Sequence, residues 1–200
     1  NWHYVGRDLF TDLEYGVLAS LSFSTVIPAV FGTAELIAGL DFLGRIRRWI
    51  VVRPTRAVTG SFALAGVGML ISMLAFPRIF FPFLWLSLYF IFAPINVWLG
   101  NRSLAEYTRR GDWRPVVALF LGTLICGFFW EFWNFFSFPK WIYTVPWGSF
   151  WHVFEMPLLG YGGYLPFGLE LFALYHLVMG LTGQKSTSYV TTGLFRKRKS

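Results

Sequence analysis

Charge and cysteine are what this sequence has least of: only 14% of its 200 residues are charged, and Cys126 is its single cysteine. One cysteine excludes an intrachain disulfide and a cysteine-rich metal site. Its place inside an apolar run reads as a small packing residue. Walker-type phosphate loops, glycine-rich dinucleotide fingerprints and a Gly-x-Ser-x-Gly elbow are absent, which removes the common nucleotide-dependent and serine-hydrolase chemistries. The His-Glu-x-x-His pattern of zinc proteases, a multi-histidine array and the paired Glu-x-x-His motifs of di-iron bundles are absent too. His152-x-x-Glu155 and Glu131-x-x-Asn134 have spacings that can chelate, but neither completes such a set, so no metal ligand is assigned. Internal repeats and low-complexity tracts are also missing.

What is present is apolar bulk. Hydrophobic residues make up 56% of the chain and aromatics 21%, far above the soluble norm. The apolar residues fall in blocks of about 20, the length a helix needs to cross roughly 30 Å of hydrocarbon. This predicts an all-α polytopic bundle with about five membrane-spanning helices, near 15–40, 57–76, 79–98, 115–138 and 164–182. Residues 1–182 form one transmembrane domain and 183–200 a basic cytoplasmic tail. Pro77 and Arg78 alone separate the second and third spans, which predicts a tight helical hairpin. Pro28 and Pro94 lie inside spans, where proline kinks a helix. Gly60, Gly66 and Gly68, with Ala63 and Ala65, would let another helix approach the second span closely.

The net charge of +7 does not point to nucleic acid, because the basic residues cluster beside apolar blocks instead of lining one face. They set topology. Arg45, Arg47, Arg48, Arg53 and Arg56 lie in the first loop, Arg102, Arg109, Arg110 and Arg114 in the second, and Lys185, Arg196, Lys197, Arg198 and Lys199 in the tail. Five spans place all three segments on one side and leave only Arg7, Arg78 and Lys140 of the 17 basic residues opposite. Short positive loops stay cytoplasmic. The expectation is therefore an integral protein of a bacterial inner membrane with loops 41–56 and 101–114 and the C-terminus inside, and 139–163 outside. The chain opens at Asn1 with no signal-peptide pattern; an upstream segment, either a cleaved signal or a further helix, would explain an outward N-terminus. Glu35, Asp41, Asn96 and Asn101 read as groups that fix helix ends on the basic side.

The most unusual segment runs from 128 to 151, where about every second residue is aromatic. Tryptophan and tyrosine favour the membrane interface, so an interfacial belt is one reading. Polar residues interleaved with the rings give another. Glu131 lies 16 residues past Pro115, roughly 24 Å along a helix, and Glu170 lies six past Tyr164, roughly 9 Å; both carboxyls thus approach the outer level. The intervening segment returns His152 and Glu155 to that level, and the two share a face if this stretch is helical. Ionisable groups at membrane depth pair with one another or line a functional cavity. Glu131, Glu155, Glu170 and His152 are accordingly the candidate acid–base residues, unless an ion pair such as Lys140 with Glu131 merely ties the loop to the bundle. Trp130, Trp133, Asn134, Lys140, Trp141, Tyr143, Trp147 and Trp151 are the candidate ligand-binding residues around them. His176, near mid-bilayer, suits haem or chlorophyll ligation, proton transfer or an interhelical hydrogen bond. Residues 157–166, broken by three glycines and two prolines, resist a regular helix, so 147–164 forms an interfacial or re-entrant cap.

Three functional classes follow. The first is a non-catalytic subunit or binding protein of a membrane complex, in contact with membrane lipids and other membrane-protein subunits, holding a lipid, quinone, carotenoid or other pigment near the non-cytoplasmic face. The second is a membrane-embedded enzyme acting on a lipid or isoprenoid through its Glu and His residues. The third, a small transporter, has least behind it, because no half of the chain repeats with a broken helix at midplane.

Overall fold

The computed structural model describes residues 2–46, 49–145 and 148–184. The chain is mostly helical, at 70%. An N-terminal strand β1 (Trp2–Val5) precedes α1 (Asp12–Ser24) and α2 (Val26–Ala38). Then come α3 (Arg56–Ala75), a short α4 (Pro77–Phe80), α5 (Phe83–Trp98), a short α6 (Ala105–Thr108) and α7 (Arg114–Phe136). Strands β2 (Lys140–Tyr143), β3 (His152–Val153) and β4 (Met156–Pro157) lead through a 3-10 turn, Leu158–Gly163, into α8 (Tyr164–Leu181). Four helical runs are long and apolar enough to cross a membrane: Asp12–Ala38, Arg56–Ala75, Arg114–Phe136 and Leu158–Leu181. The expected third span is shorter, because Pro82 separates α4 from an α5 of only 16 residues.

Local sequence explains the boundaries. Thr11 and Glu14 form a reciprocal capping box at the start of α1, and Thr55 caps α3 by accepting from Val58 N–H at 3.3 Å. The first run breaks at Thr25, where Pro28 lacks the N–H that would bond the Ser24 carbonyl.

The helices pack as a row, with α3 against α5, α5 against α8, α8 against α7, and α7 against α2. Small residues let backbones approach at three seams. A Cβ on Gly122 of α7 would lie 2.8 Å from the Ala34 backbone nitrogen of α2, and one on Gly168 of α8 would lie 2.1 Å from Thr123 Oγ1 of α7. On α3 only Gly66 plays this part, against the Ser87 carbonyl; Gly60 and Gly68 face open space. Val30, Phe31 and Ala34 of α2, Ala118 and Leu119 of α7 and Phe172 of α8 form the core. Cys126 belongs to its edge and donates to Thr33 Oγ1 at 3.5 Å.

The two ends differ. At one, which we call the loop end, residues 41–56 and 101–114 are joined by Trp49 N–H to the Gly111 carbonyl at 2.9 Å and Trp113 Nε1–H to the Ile50 carbonyl at 2.7 Å. At the other, the cap end, β1 pairs antiparallel with β2, setting Trp2 opposite Tyr143 and Val5 opposite Lys140. Strands β3 and β4 form a two-residue-loop hairpin with Phe154 and Glu155 at its tip. The condition on which His152 and Glu155 would share a helical face is therefore not met. His152 and Glu155 belong to a hairpin and share no helical face, because Trp151 and Phe154 adopt left-handed φ of 53° and 58°, which ends any helix there.

Candidate functional site

The site grows from α7 outward. Gly127 precedes Glu131 by about one turn, and its missing side chain admits the Tyr164 ring, which a Cβ would meet at 2.5 Å. That close approach brings Tyr164, the first residue of α8, within reach of Glu131. One turn further, the buried Asn134 amide turns away from the bundle to clamp the cap. It donates to the Trp141 carbonyl and accepts from the Trp141 N–H, both at 2.8 Å. This two-point contact fixes β2 on α7 and delivers Tyr143 to the same carboxylate.

Glu131 is consequently 0% exposed. Its Oε1 accepts from Tyr143 Oη at 2.6 Å and from Tyr164 Oη at 2.8 Å. Its Oε2 is buried with no hydrogen-bond partner, and so is the indole Nε1–H of Trp141. That indole lies beside both Glu131 and Tyr143. A buried acceptor or donor costs about 1–3 kcal/mol if it stays unsatisfied.

The chain matches no protein-family model, no curated protein and no solved structure. The geometry alone therefore carries the chemistry.

The hairpin closes the site from above. Phe154 at its tip packs on Phe128, Phe132 and Phe135, with ring centroids 5.4, 5.5 and 5.8 Å away. Its neighbour Glu155 forms a salt bridge with Lys140, and Tyr161 Oη donates to the Val153 carbonyl at 3.1 Å. A left-handed phenylalanine costs about 1–2 kcal/mol, so the ring contacts must offset it. Phe154→Gly is accordingly expected to melt later than Phe154→Ala, by about 1 kcal/mol, since both lose the ring but only glycine accepts this φ freely. Thermal unfolding of the two variants in detergent checks the order.

Of the sequence candidates, Glu131, Glu155, Trp130, Asn134, Lys140, Trp141 and Tyr143 come together at the cap end. Lys140 pairs with Glu155, not with Glu131, although Glu155 still acts on Glu131 electrostatically. Trp130 packs on Tyr164 and Phe167. Five candidates stand apart. Glu170, 4% exposed, lies on α8 between Phe167, which packs on Trp85 of α5, and Ala173, whose carbonyl accepts from Asn96. It makes no hydrogen bond or ion pair among the described residues. Trp133 and Trp151 point outward, 61% and 76% exposed, and His152 is exposed. His176 is buried against Phe172 near Arg102 of the loop end, its Nε2 without a partner. Trp147 lies outside the described residues. Among the described residues no three His, Cys, Asp or Glu side chains converge on a common point.

Sequence reasoning missed Tyr164, taken only as the start of a span. The signal was available in Gly127, four residues before Glu131.

Burial and the neighbouring Glu131 push the Tyr143 phenol well above its ordinary pKa, and burial beside Tyr15 pushes Tyr4 of the paired strand up to about 12. Both hold their protons more tightly folded than unfolded. The β1–β2 cap therefore keeps its full stability below about pH 10 and loses it as pH rises toward the folded-state values. Melting temperature should fall above that pH, and less steeply in Tyr143→Phe.

Proposed function

We propose that this chain is an integral membrane protein that holds a hydrophobic ligand under the cap, with Glu131 as its polar anchor, acting as a non-catalytic subunit or binding protein of a larger membrane complex. The observation that carries this reading is the Glu131 carboxyl: one oxygen is held by two phenols and the other is buried without a partner, beside the aromatic strand that carries Trp141 and Tyr143. A lipid, quinone, carotenoid or other pigment suits such a place, because aromatic walls bind an apolar body and one convergent polar group fixes its orientation.

The same proposal gives the chain five crossings of a bacterial inner membrane, the fifth made by α5 at roughly 24 Å. Loops 41–56 and 101–114 face the cytoplasm with the C-terminal tail, and 139–163 faces outside. The arginine distribution supports this orientation, as does the pairing of the two basic loops at one end. Partner subunits are supported by α1, none of whose residues is buried: Leu13, Val17, Leu21 and Phe23 have only lipid or another helix to meet.

A second reading has one observation in its favour. A carboxyl whose Oε1 is fixed by Tyr143 and Tyr164 presents Oε2 in a set orientation, which suits proton transfer to or from a lipid or isoprenoid. Enzyme and binding protein separate in one experiment. The chain is purified from its native membrane in a mild detergent, and the bound compounds are extracted and weighed by mass spectrometry. The binding reading expects one hydrophobic compound in stoichiometric amount with the wild type, recovered unchanged and lost from Glu131→Gln. Its release as a new product by the isolated chain would replace that reading with the enzyme, and equal lipid content in both chains would reject both.

A further inference from the structure

We propose that the loop end holds one anionic phospholipid, with its phosphate on Arg53, Arg56 and Arg109 and the start of an acyl chain in the groove between α3 and α5. This rests on the integral-membrane reading above and is independent of any ligand at Glu131. The groove is a half-open cavity of about 50 Å³. It lies where α3, the last helix of the row, packs on α5.

The wall of the groove matches the part of a phospholipid just below its phosphate. Val52, Pro54, Val58, Phe62, Ala93 and Val97 supply apolar surface from both helices and the 41–56 loop. Two hydroxyls of the wall are already committed. Thr59 Oγ1 donates to the Thr55 carbonyl at 3.1 Å and accepts from Trp98 Nε1–H at 2.9 Å, and Ser103 Oγ accepts from the Ala105 N–H at 3.1 Å. Two others, of Tyr89 and Thr108, line the cavity and make no hydrogen bond among the described residues. A hydroxyl donor suits a lipid ester carbonyl, which only accepts. The volume admits a few water-sized groups, so it seats a short stretch of chain while the remainder stays in the bilayer.

The surroundings of the groove are basic. Val52 N–H donates to the Thr108 carbonyl at 3.1 Å, joining the two loops at the cavity, so the neighbouring Arg53 and Arg109 flank it. Arg56 opens α3 two residues before Val58. All three arginines are exposed and form no ion pair among the described residues. The carboxyls of the 101–114 loop are engaged elsewhere: Asp112 pairs with Arg114, and Glu106 accepts from the Ser103 N–H at 3.3 Å. Unneutralised guanidinium groups select phosphate, and basic residues beside a membrane helix end attract anionic lipid. A soluble phosphate compound or a nucleic acid brings no alkyl chain to the apolar wall.

The test uses the full chain in detergent, freed of bound lipid, with three probes: phosphatidylglycerol, phosphatidylcholine with the same chains, and glycerol 3-phosphate. Native mass spectrometry counts what stays bound. The expected result is one phosphatidylglycerol, held about tenfold or more above either other probe. Arg53→Gln with Arg109→Gln should weaken it about 25-fold, from about fivefold for each arginine beside an anionic lipid, whereas Arg78→Gln at the opposite end of α3 should bind as the wild type does. Ala93→Phe, which fills the groove, should weaken both lipids about tenfold, the change expected from losing burial of about two methylene groups. Melting curves show that the variants fold; the comparison of probes on the wild type stands without them. Equal binding of the two lipids would overturn the role of the arginines, and undiminished binding by a folded Ala93→Phe would overturn that of the groove. Glycerol 3-phosphate held as tightly as the lipid would replace the lipid with a soluble phosphate compound. Incorporation into lipid nanodiscs separates the two readings: a chain that enters them without preferring phosphatidylglycerol overturns this inference alone, and one that stays outside overturns the membrane reading with it.

Discussion

Gly122→Leu is expected to destabilise the fold by about 3 kcal/mol, at the upper end of what overpacking a close contact costs. The atom a new side chain would meet is the Ala34 backbone nitrogen at 2.8 Å, with Ala34 Cα and Cβ at 3.0 Å. Backbone cannot rotate away as a flexible side chain can, so α2 and α7 must separate, and the core that Val30, Phe31 and Leu119 build between them opens. Gly60→Leu supplies the control. Gly60 has nothing within 4 Å, so there only the gain in helix propensity remains, up to about 1 kcal/mol. Thermal unfolding in detergent should therefore move in opposite directions for two identical substitutions in two apolar helices. Equal shifts would mean that α2 and α7 are not in contact at Gly122.

The second large effect concerns the carboxylate. Removing both phenols, in Tyr143→Phe with Tyr164→Phe, leaves Glu131 fully buried with neither oxygen bonded. The expected loss is about 2–5 kcal/mol, since each unmade bond to a buried group costs about 1–3. Either single substitution leaves one donor and should cost about half as much. Adding Glu131→Met to the double variant should restore most of the stability, because replacing every partner of a buried polar network by apolar groups of similar size is close to neutral. Recovery marks the loss as that of unsatisfied polar groups. If the triple variant is as unstable as the double, the phenols matter for packing alone and the network does not hold the carboxyl.

The helices were legible because chemistry at their ends is local. Arg56 and Pro77 bound α3, and Arg114 opens α7, so apolar block and helix coincide within two residues. The third block was less so: its apolar length hides Pro82, which divides it into α4 and α5. The small sheets could not be read. β1 (Trp2–Val5) and β2 (Lys140–Tyr143) are far apart in the sequence, and β2 is held on α7 by Asn134 bonding Trp141.

The candidate site was half legible for a geometric reason. Counting rise per residue gave Glu131 and Glu170 similar heights, but height is not direction. Tyr164 and Glu170 are six residues apart, about 240° around a helix; Tyr164 meets Glu131 on α7, while no hydrogen bond joins Glu170 to that carboxyl. The rings of the 128–151 segment divide in the same way. Trp141 and Tyr143 face the carboxyl, while Trp133 and Trp151 face outward, so the belt and the site occupy one stretch of sequence.

The central claim is that the carboxyl of Glu131 is shared between Tyr143 and Tyr164 on one oxygen and open to a ligand on the other. Carbon-13 NMR of the chain labelled at glutamate Cδ tests it most directly, with the Glu131 signal assigned as the one missing from Glu131→Gln. That signal should move in Tyr143→Phe and move again in Tyr164→Phe, while the other glutamates stay in place. A Glu131 signal indifferent to both phenols would contradict the account.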